Sequence, residues 1–196
     1  MKQTDEALMS AIRDGDVAKL GILFDRHAKP LFEFFSRLTG DRGSSDDLVQ
    51  DVFFRILKYR QTFRGDGKFT TWMYNIARNA RIDHFRKHRG ETALPEEPNE
   101  IPGSAPFPSH ELQKQQEAAT LKRALYMLSE EKREVLVLSR YQDMKYEQIA
   151  ELLGCEIGTV KGRVHRAVKD LREIYLKLSG EQRCNVKKPE TNLRVI

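Results

Sequence analysis

Cysteine is scarce in this 196-residue chain, which has two, Cys155 and Cys184. Two thiols make neither a disulfide framework nor a four-ligand zinc site. No apolar run approaches the ~20 residues that cross a bilayer, and the opening Met1-Lys2-Gln3-Thr4-Asp5-Glu6 is too polar for a secretory signal. These absences point to a cytoplasmic protein, not inserted in a membrane, with reduced thiols and with no metal or cofactor. Val/Ile/Thr-rich alternation is also missing, which argues against sheets. The hydrophobic fraction of 39% nonetheless supports folded cores and argues against a fully disordered chain.

What is present is unevenly distributed. Lys plus Arg number 34 and Asp plus Glu 29, a net charge of +5. Residues 1–90 hold seventeen cations and twelve acids, 91–112 hold five Glu and no cation, and 113–196 again hold seventeen and twelve. Five of the seven prolines, Pro95, Pro98, Pro102, Pro106 and Pro108, fall in the acidic stretch. Proline removes the backbone donor that a helix interior needs, so this segment reads as an extended linker. Apolar residues on both sides recur at helical spacing. The expected fold is all-α, with two small helical domains joined by an extended linker: 1–90, a linker over 91–111, 112–178, and a loose tail over 179–196.

Local signals place the helices. Ser44 and Ser45 before Asp46 and Asp47 predict a helix start, running to about Tyr59. Thr70 or Thr71 is expected to cap a long helix reaching about Arg89, and Ser129-Glu130-Glu131 to open one that ends near Tyr141. Tyr146–Leu153, then Gly154, then a helix from about Gly158 to Tyr175 have the pattern of a helix-turn-helix. Its second helix buries Val160, Val164, Ala167, Val168 and Leu171 and turns Lys161, Arg163, His165, Arg166 and Lys169 outward. Cations on that face fit a DNA major groove, and Gly162 among them permits close approach. Cys155 at the turn is expected to be a small packing residue.

Two helices of the first half carry other messages. Asp47, Gln50, Asp51 and Phe54, spaced i, i+3, i+4 and i+7, form a face opposite the apolar one. Phe54 either anchors a protein partner, with the acids as steering charges, or packs beneath a neighbouring helix. Further on, Trp72, Ile76, Asn79 and Asp83 share a stripe that ends in Arg86-Lys87-His88-Arg89. The preceding loop offers Phe63, Arg64, Lys68 and Phe69. Rings, amides and cations mixed in this way suit single-stranded nucleic acid. Trp72 and Ile76 are expected in the core; Asn79, Asp83 and the loop are the functional candidates. His84 and His88, four apart, have the spacing of metal ligands, but no third ligand, His-Glu-x-x-His motif or P-loop accompanies them.

Three motifs in order carry a resemblance. They are Asp46-Asp47-Leu48-Val49-Gln50-Asp51-Val52-Phe53, the stretch from Phe63 to Asn79 with Phe63-Arg64-Gly65-Asp66-Gly67-Lys68-Phe69 at its head, and Gly158-Thr159-Val160-Lys161-Gly162-Arg163-Val164-His165-Arg166-Ala167. Together they resemble an extracytoplasmic-function sigma factor of the sigma-70 family, with region 2 on 1–90 and region 4 on 112–178. The resemblance implies a non-enzymatic factor that directs core RNA polymerase to promoters, of a stress or envelope-type regulon. It places Asp47, Gln50, Asp51 and Phe54 on the β′ clamp helices, with the β subunit as a further contact. Phe63, Arg64, Lys68 and Phe69, with Asn79, Asp83 and Arg86, would take the single-stranded −10 element. Tyr146, Thr159, Lys161, Gly162, Arg163, His165, Arg166 and Lys169 would bind the −35 duplex. The linker would thread the polymerase cleft, and an anti-sigma factor would be the regulator. The rival reading is a stand-alone helix-turn-helix regulator, which leaves the Asp47/Phe54 face and the aromatic loop unexplained.

Overall fold

A computed structural model describes residues 3–88 and 109–185. Most of the linker and the tail beyond Asn185 lie outside the described residues. The first half contains α1 (Asp5–Arg13), α2 (Leu20–Thr39), α3 (Arg42–Lys58) and α4 (Phe69–His88), with single 3-10 turns at Val17–Lys19 and Arg60–Thr62. The second contains α5 (Ser109–Tyr126), α6 (Glu130–Leu136), α7 (Tyr146–Leu153) and α8 (Ile157–Asn185). A π-helical turn, Val137–Tyr141, continues α6.

Capping chemistry sets several of these ends. Thr4 accepts from Ala7 N at 3.2 Å and starts α1. The start of α3 differs from expectation: Asp41 is the cap, accepting from Gly43 N at 3.0 Å and Ser44 N at 2.8 Å. Ser45 is instead buried, its hydroxyl donating to the Asp41 carbonyl and lying 3.3 Å from Ser36 Oγ. The fourth helix begins at Phe69, just ahead of the expected Thr70 or Thr71, and Thr71 is buried. Gly40 ends α2 in the left-handed region, φ 82°, with its Cα facing the Tyr126 ring.

Leu31, Phe34, Phe35 and Leu38 of α2 share one buried core with Leu48, Val52 and Ile56 of α3 and Met73, Ala77 and Ala80 of α4. Asp5 ties α1 to α2 through Arg26 at 2.6 Å and His27 at 2.7 Å. In the second half, Gly154 adopts φ 61° and turns α7 into α8, whose Val160, Val164 and Ala167 face inward. Two expectations are corrected here. Val168 is 42% exposed rather than in the core stripe, because α8 has a narrower contact face. The helix also runs on to Asn185 rather than ending near Tyr175, with Leu178 buried, so residues 179–185 are helical instead of a loose tail.

The two halves pack directly on each other. Tyr126 donates to Ser36 O at 2.6 Å, Arg133 Nη1 to Leu38 O at 2.8 Å, Gln142 Nε2 to Pro30 O at 3.3 Å, and Gln148 Nε2 to Thr71 Oγ1 at 3.3 Å. Tyr74 donates to the Gln142 side chain, and Arg37 lies 4.3 Å over the Tyr141 ring. Burial pushes the Tyr74 hydroxyl well above the ordinary tyrosine range, so it remains a donor throughout the physiological range.

Candidate nucleic-acid interface

The α3 face emerges as charge around one exposed ring. Leu48, Val49, Val52, Phe53 and Ile56 turn inward, which forces Asp47, Gln50 and Phe54 outward. Phe54 is 65% exposed, so it does not pack beneath a neighbouring helix. Asp51 differs from its neighbours, since Arg55 Nε holds its carboxylate at 3.0 Å.

Arg55 also reaches the next helix. Its Nη1 contacts Asp83 at 2.9 Å, and Asp83 in turn pairs with Arg86 at 3.2 Å. Desolvation would lower the Arg55 pKa, but the bonds to two carboxylates raise it above the ordinary arginine value. The Asp83 carboxyl is held below the usual range, chiefly by the Arg55 hydrogen bond and then by the charges of Arg55, Arg86 and Lys87. Asp83 is therefore ionised, with one oxygen taken by Arg55 and the other by Arg86. Arg55, Tyr59, Ile76, Asn79, Ile82 and Asp83 line one surface depression between α3 and α4. Asn79 is exposed there, its amide donating to Asn75 at 3.3 Å. Sequence periodicity within α4 finds Asn79 and Asp83; it misses Arg55 and Tyr59, which belong to another helix and join the site only through packing.

The loop before α4 departs from expectation. Phe63 is 3% exposed and Phe69 fully buried, so neither is available to stack on a base. Their rings meet Trp72 at 5.4 and 6.1 Å, forming an aromatic floor beneath the loop. Two further ties fix the loop to α1, from Arg13 to Phe63 O at 3.2 Å and from Phe69 N to Glu6 at 3.3 Å. Burial of three rings outweighs any benefit of leaving them wet, and what remains outside is Arg64 and Lys68. Trp72 is half-buried against the core and Ile76 likewise.

On α8, Thr159, Lys161, His165, Arg166 and Lys169 are exposed, while Gly162 and Arg163 are half-buried. A Cβ at Gly162 would meet only the mobile end of Arg166, at 3.8 Å, so the glycine is not required by packing within the chain. Tyr146, at the start of α7, is half-buried and packs against the core, which leaves part of it at the surface. Among the described residues no group of three or more His, Cys, Asp or Glu side chains is placed to hold a metal ion. No helix among them is long and apolar enough to cross a membrane.

A helical bundle with an exposed acid-and-ring face, followed by a helix-turn-helix with a bare basic helix, agrees with two family signatures. Residues 23–91 match Sigma-70 region 2, and residues 118–171 match Sigma-70, region 4. The chain belongs to the extracytoplasmic-function sigma factors of the sigma-70 family. It is 32% identical over 189 residues to the ECF RNA polymerase sigma factor SigE of Mycolicibacterium smegmatis, covering 92% of this chain and 73% of that one. It is 31% identical to the ECF RNA polymerase sigma factor RpoE of Cereibacter sphaeroides, over 85% of this chain and 92% of the relative. Among solved structures, the sigma factor RpoE of Bartonella quintana, in complex with the anti-sigma factor NepR, superposes with a TM-score of 0.63 at 28% identity. That match covers 79% of this chain and 94% of the other. CnrH, in complex with the cytosolic domain of CnrY, shares the fold at a TM-score of 0.67 and 24% identity, over 87% of this chain and 96% of that one. As a sigma factor, the protein is a transcription initiation factor that binds core RNA polymerase and promoter DNA. Its all-α architecture, with regions 2 and 4 as the two helical units, is the one expected from the sequence.

Proposed function

We propose that each exposed surface of this sigma factor has one task in promoter opening. The observation that carries the assignment is the separation of three exposed surfaces on a packed scaffold: the ring and acids of α3, the amide and charges of α4, and the cations of α8. Phe54 supplies a desolvated anchor for the β′ clamp helices, and Asp47, Gln50 and Asp51 surround it with polar and charged contacts. Asn79, Asp83 and Arg86, with Arg64 and Lys68 from the loop, hold the unpaired −10 strand. Phe63 and Phe69 act from beneath, as the floor that keeps this loop in place. Flipping a base costs a few kcal/mol, which a preformed site offsets by binding without nucleotide hydrolysis. Thr159, Lys161, Arg163, His165, Arg166 and Lys169, with Gly162 at the closest approach and Tyr146 beside them, bind the −35 duplex.

The protein is read as cytoplasmic and as acting by binding rather than by catalysis. The sigma factor RpoE of Bartonella quintana was captured with an anti-sigma factor, which supports an anti-sigma factor as a partner here too. Run-off transcription with core polymerase, followed by start-site mapping, tests the assignment as a whole. Specific transcripts that require both the protein and core polymerase support it. Tight binding of promoter duplex by the chain alone, with no transcript from the reconstituted polymerase, would favour the stand-alone regulator instead.

A further inference from the structure

Region 4 presents two carboxylates to region 2. Glu134 of α6 is buried, with its side chain 8% exposed, and sits 3.2 Å from Arg78 Nε and 3.6 Å from Arg81 Nη2. Glu130, one turn earlier, pairs with Arg81 Nη1. The Arg81 side chain is only 5% exposed, and its buried Nε has no hydrogen-bond partner among the described residues. Both arginines belong to α4, the helix that carries Asn79 and Asp83. At about 100° per residue, Asn75, Asn79, Ile82, Asp83 and Arg86 share one arc of α4, and Arg78 and Arg81 lie on the adjoining one.

This packing is incompatible with simultaneous recognition of both promoter elements. Positions −35 and −10 are about 25 base pairs apart, or roughly 85 Å at 3.4 Å per pair. In the packed chain, Gln148 of α7, the first helix of the helix-turn-helix, bonds to Thr71 of α4 at 3.3 Å. The halves must therefore part when both elements are engaged. Residues 89–108 have a contour of up to about 70 Å, enough to let them do so. Parting strips Arg78 and Arg81 of their carboxylates while leaving them beside the −10 residues. A guanidinium fork matched to carboxylate oxygens is also matched to phosphate oxygens.

We infer that Arg78 and Arg81 form an anion-binding edge with exchangeable occupants: the Glu130 and Glu134 carboxylates in the packed chain, and nucleic-acid phosphates once region 4 has moved away. Closing the chain and gripping the strand then compete for the same two cations. The inference rests on the proposed −10 reading of α4, and its test separates the two.

The probe is a fork-junction DNA bearing a mapped promoter of this factor, its −10 segment single-stranded, bound by the reconstituted holoenzyme at several salt concentrations. R78Q/R81Q should flatten the slope of log K against log salt by about 1.4, or 0.7 for each lost phosphate contact. R78K/R81K keeps both charges and should retain the slope, separating loss of contact from loss of fold. In the free full-length chain, E130Q/E134Q should enlarge the radius of gyration measured by small-angle scattering. The same variant should bind the single-stranded −10 oligonucleotide at least tenfold more tightly than the wild type. An unchanged slope in R78Q/R81Q overturns the phosphate assignment, and equal oligonucleotide binding by wild type and E130Q/E134Q overturns the competition. Absence of specific transcripts from the wild-type holoenzyme would instead remove the proposed function on which both depend.

Discussion

Arg55 on α3 donates to Asp83 on α4 at 2.9 Å while its Nε holds Asp51 at 3.0 Å, so one guanidinium joins the proposed polymerase face to the proposed −10 face. On the proposed assignment both carboxylates lie on surfaces that ligands would cover, so competition for Arg55 would link the two events. Arg55→Met should return the Asp83 carboxyl toward its ordinary titration range, read by carboxylate NMR. It should also slow open-complex formation more than it weakens holoenzyme assembly. An unshifted Asp83 titration would show that the pair does not persist in solution.

Acid should weaken the fold through a small set of carboxylates. Burial raises the Asp5 pKa, but the hydrogen bonds and charges of Arg26 and His27 outweigh it and leave the folded value depressed. Asp41 is depressed chiefly by its hydrogen bonds to Ser44 at the α3 cap. A depressed folded pKa gives stability that is complete above the unfolded value, about 3.9, and is lost as pH falls through the folded value. Urea melts should therefore show little change in the contribution of these groups between pH 7 and 5, and a steep loss below about pH 4. Asp5→Asn should flatten that acid limb.

The aromatic floor predicts a division between neighbours in one loop. Phe69→Ala should cost about 3–5 kcal/mol of stability, because it empties a fully buried site. Arg64→Ala, at an exposed position, should alter stability by less than about 0.5 kcal/mol yet reduce retention of single-stranded −10 DNA. Thermal melts and strand binding on the same two variants check both statements. Selective loss of strand binding in a stable Phe69→Ala protein would restore the ring as a stacking surface.

Binding and melting should separate by helix. Arg166→Ala should cost about 1–3 kcal/mol at the −35 element if the exposed guanidinium reaches a base edge. Asn79→Ala should leave low-temperature footprints intact and remove permanganate-reactive thymines. Equal loss of both signals in Asn79→Ala would contradict a role confined to the opened strand.

Local chemistry was legible in the sequence wherever its signals lie within a turn or two of one another. Tyr146–Leu153 and Gly154 declare themselves by periodicity and a single left-handed glycine, and the outward arc of α8 follows from its spacing. The α3 start is ambiguous in sequence because Ser44, Ser45 and Asp41 are all good caps, and the hydrogen bond from Ser36 draws Ser45 inward. Phe63 and Phe69 read as exposed because nothing local reports that α1 and Trp72 will cover them. Arg78 and Arg81 find their acids about fifty residues away, on another domain, where periodicity carries no information. Spacing alone leaves Phe54 open to two readings; packing decides, since no helix among the described residues covers it.

Arg133 has a consequence for the order of events during synthesis. Its Nη1 closes the α2 end at Leu38 O, while Nη2 closes the α5 end at Tyr126 O and Leu128 O, at 2.6 and 3.1 Å. The guanidinium arrives 95 residues after the carbonyl it serves in the first half. As the chain leaves the ribosome, all of region 2 is synthesised before that partner, and before the second-half residues that share its buried core. Until region 4 docks, the Leu38 carbonyl is left to water, and Arg78 and Arg81 on the proposed −10 helix lack their Glu134 and Glu130 partners.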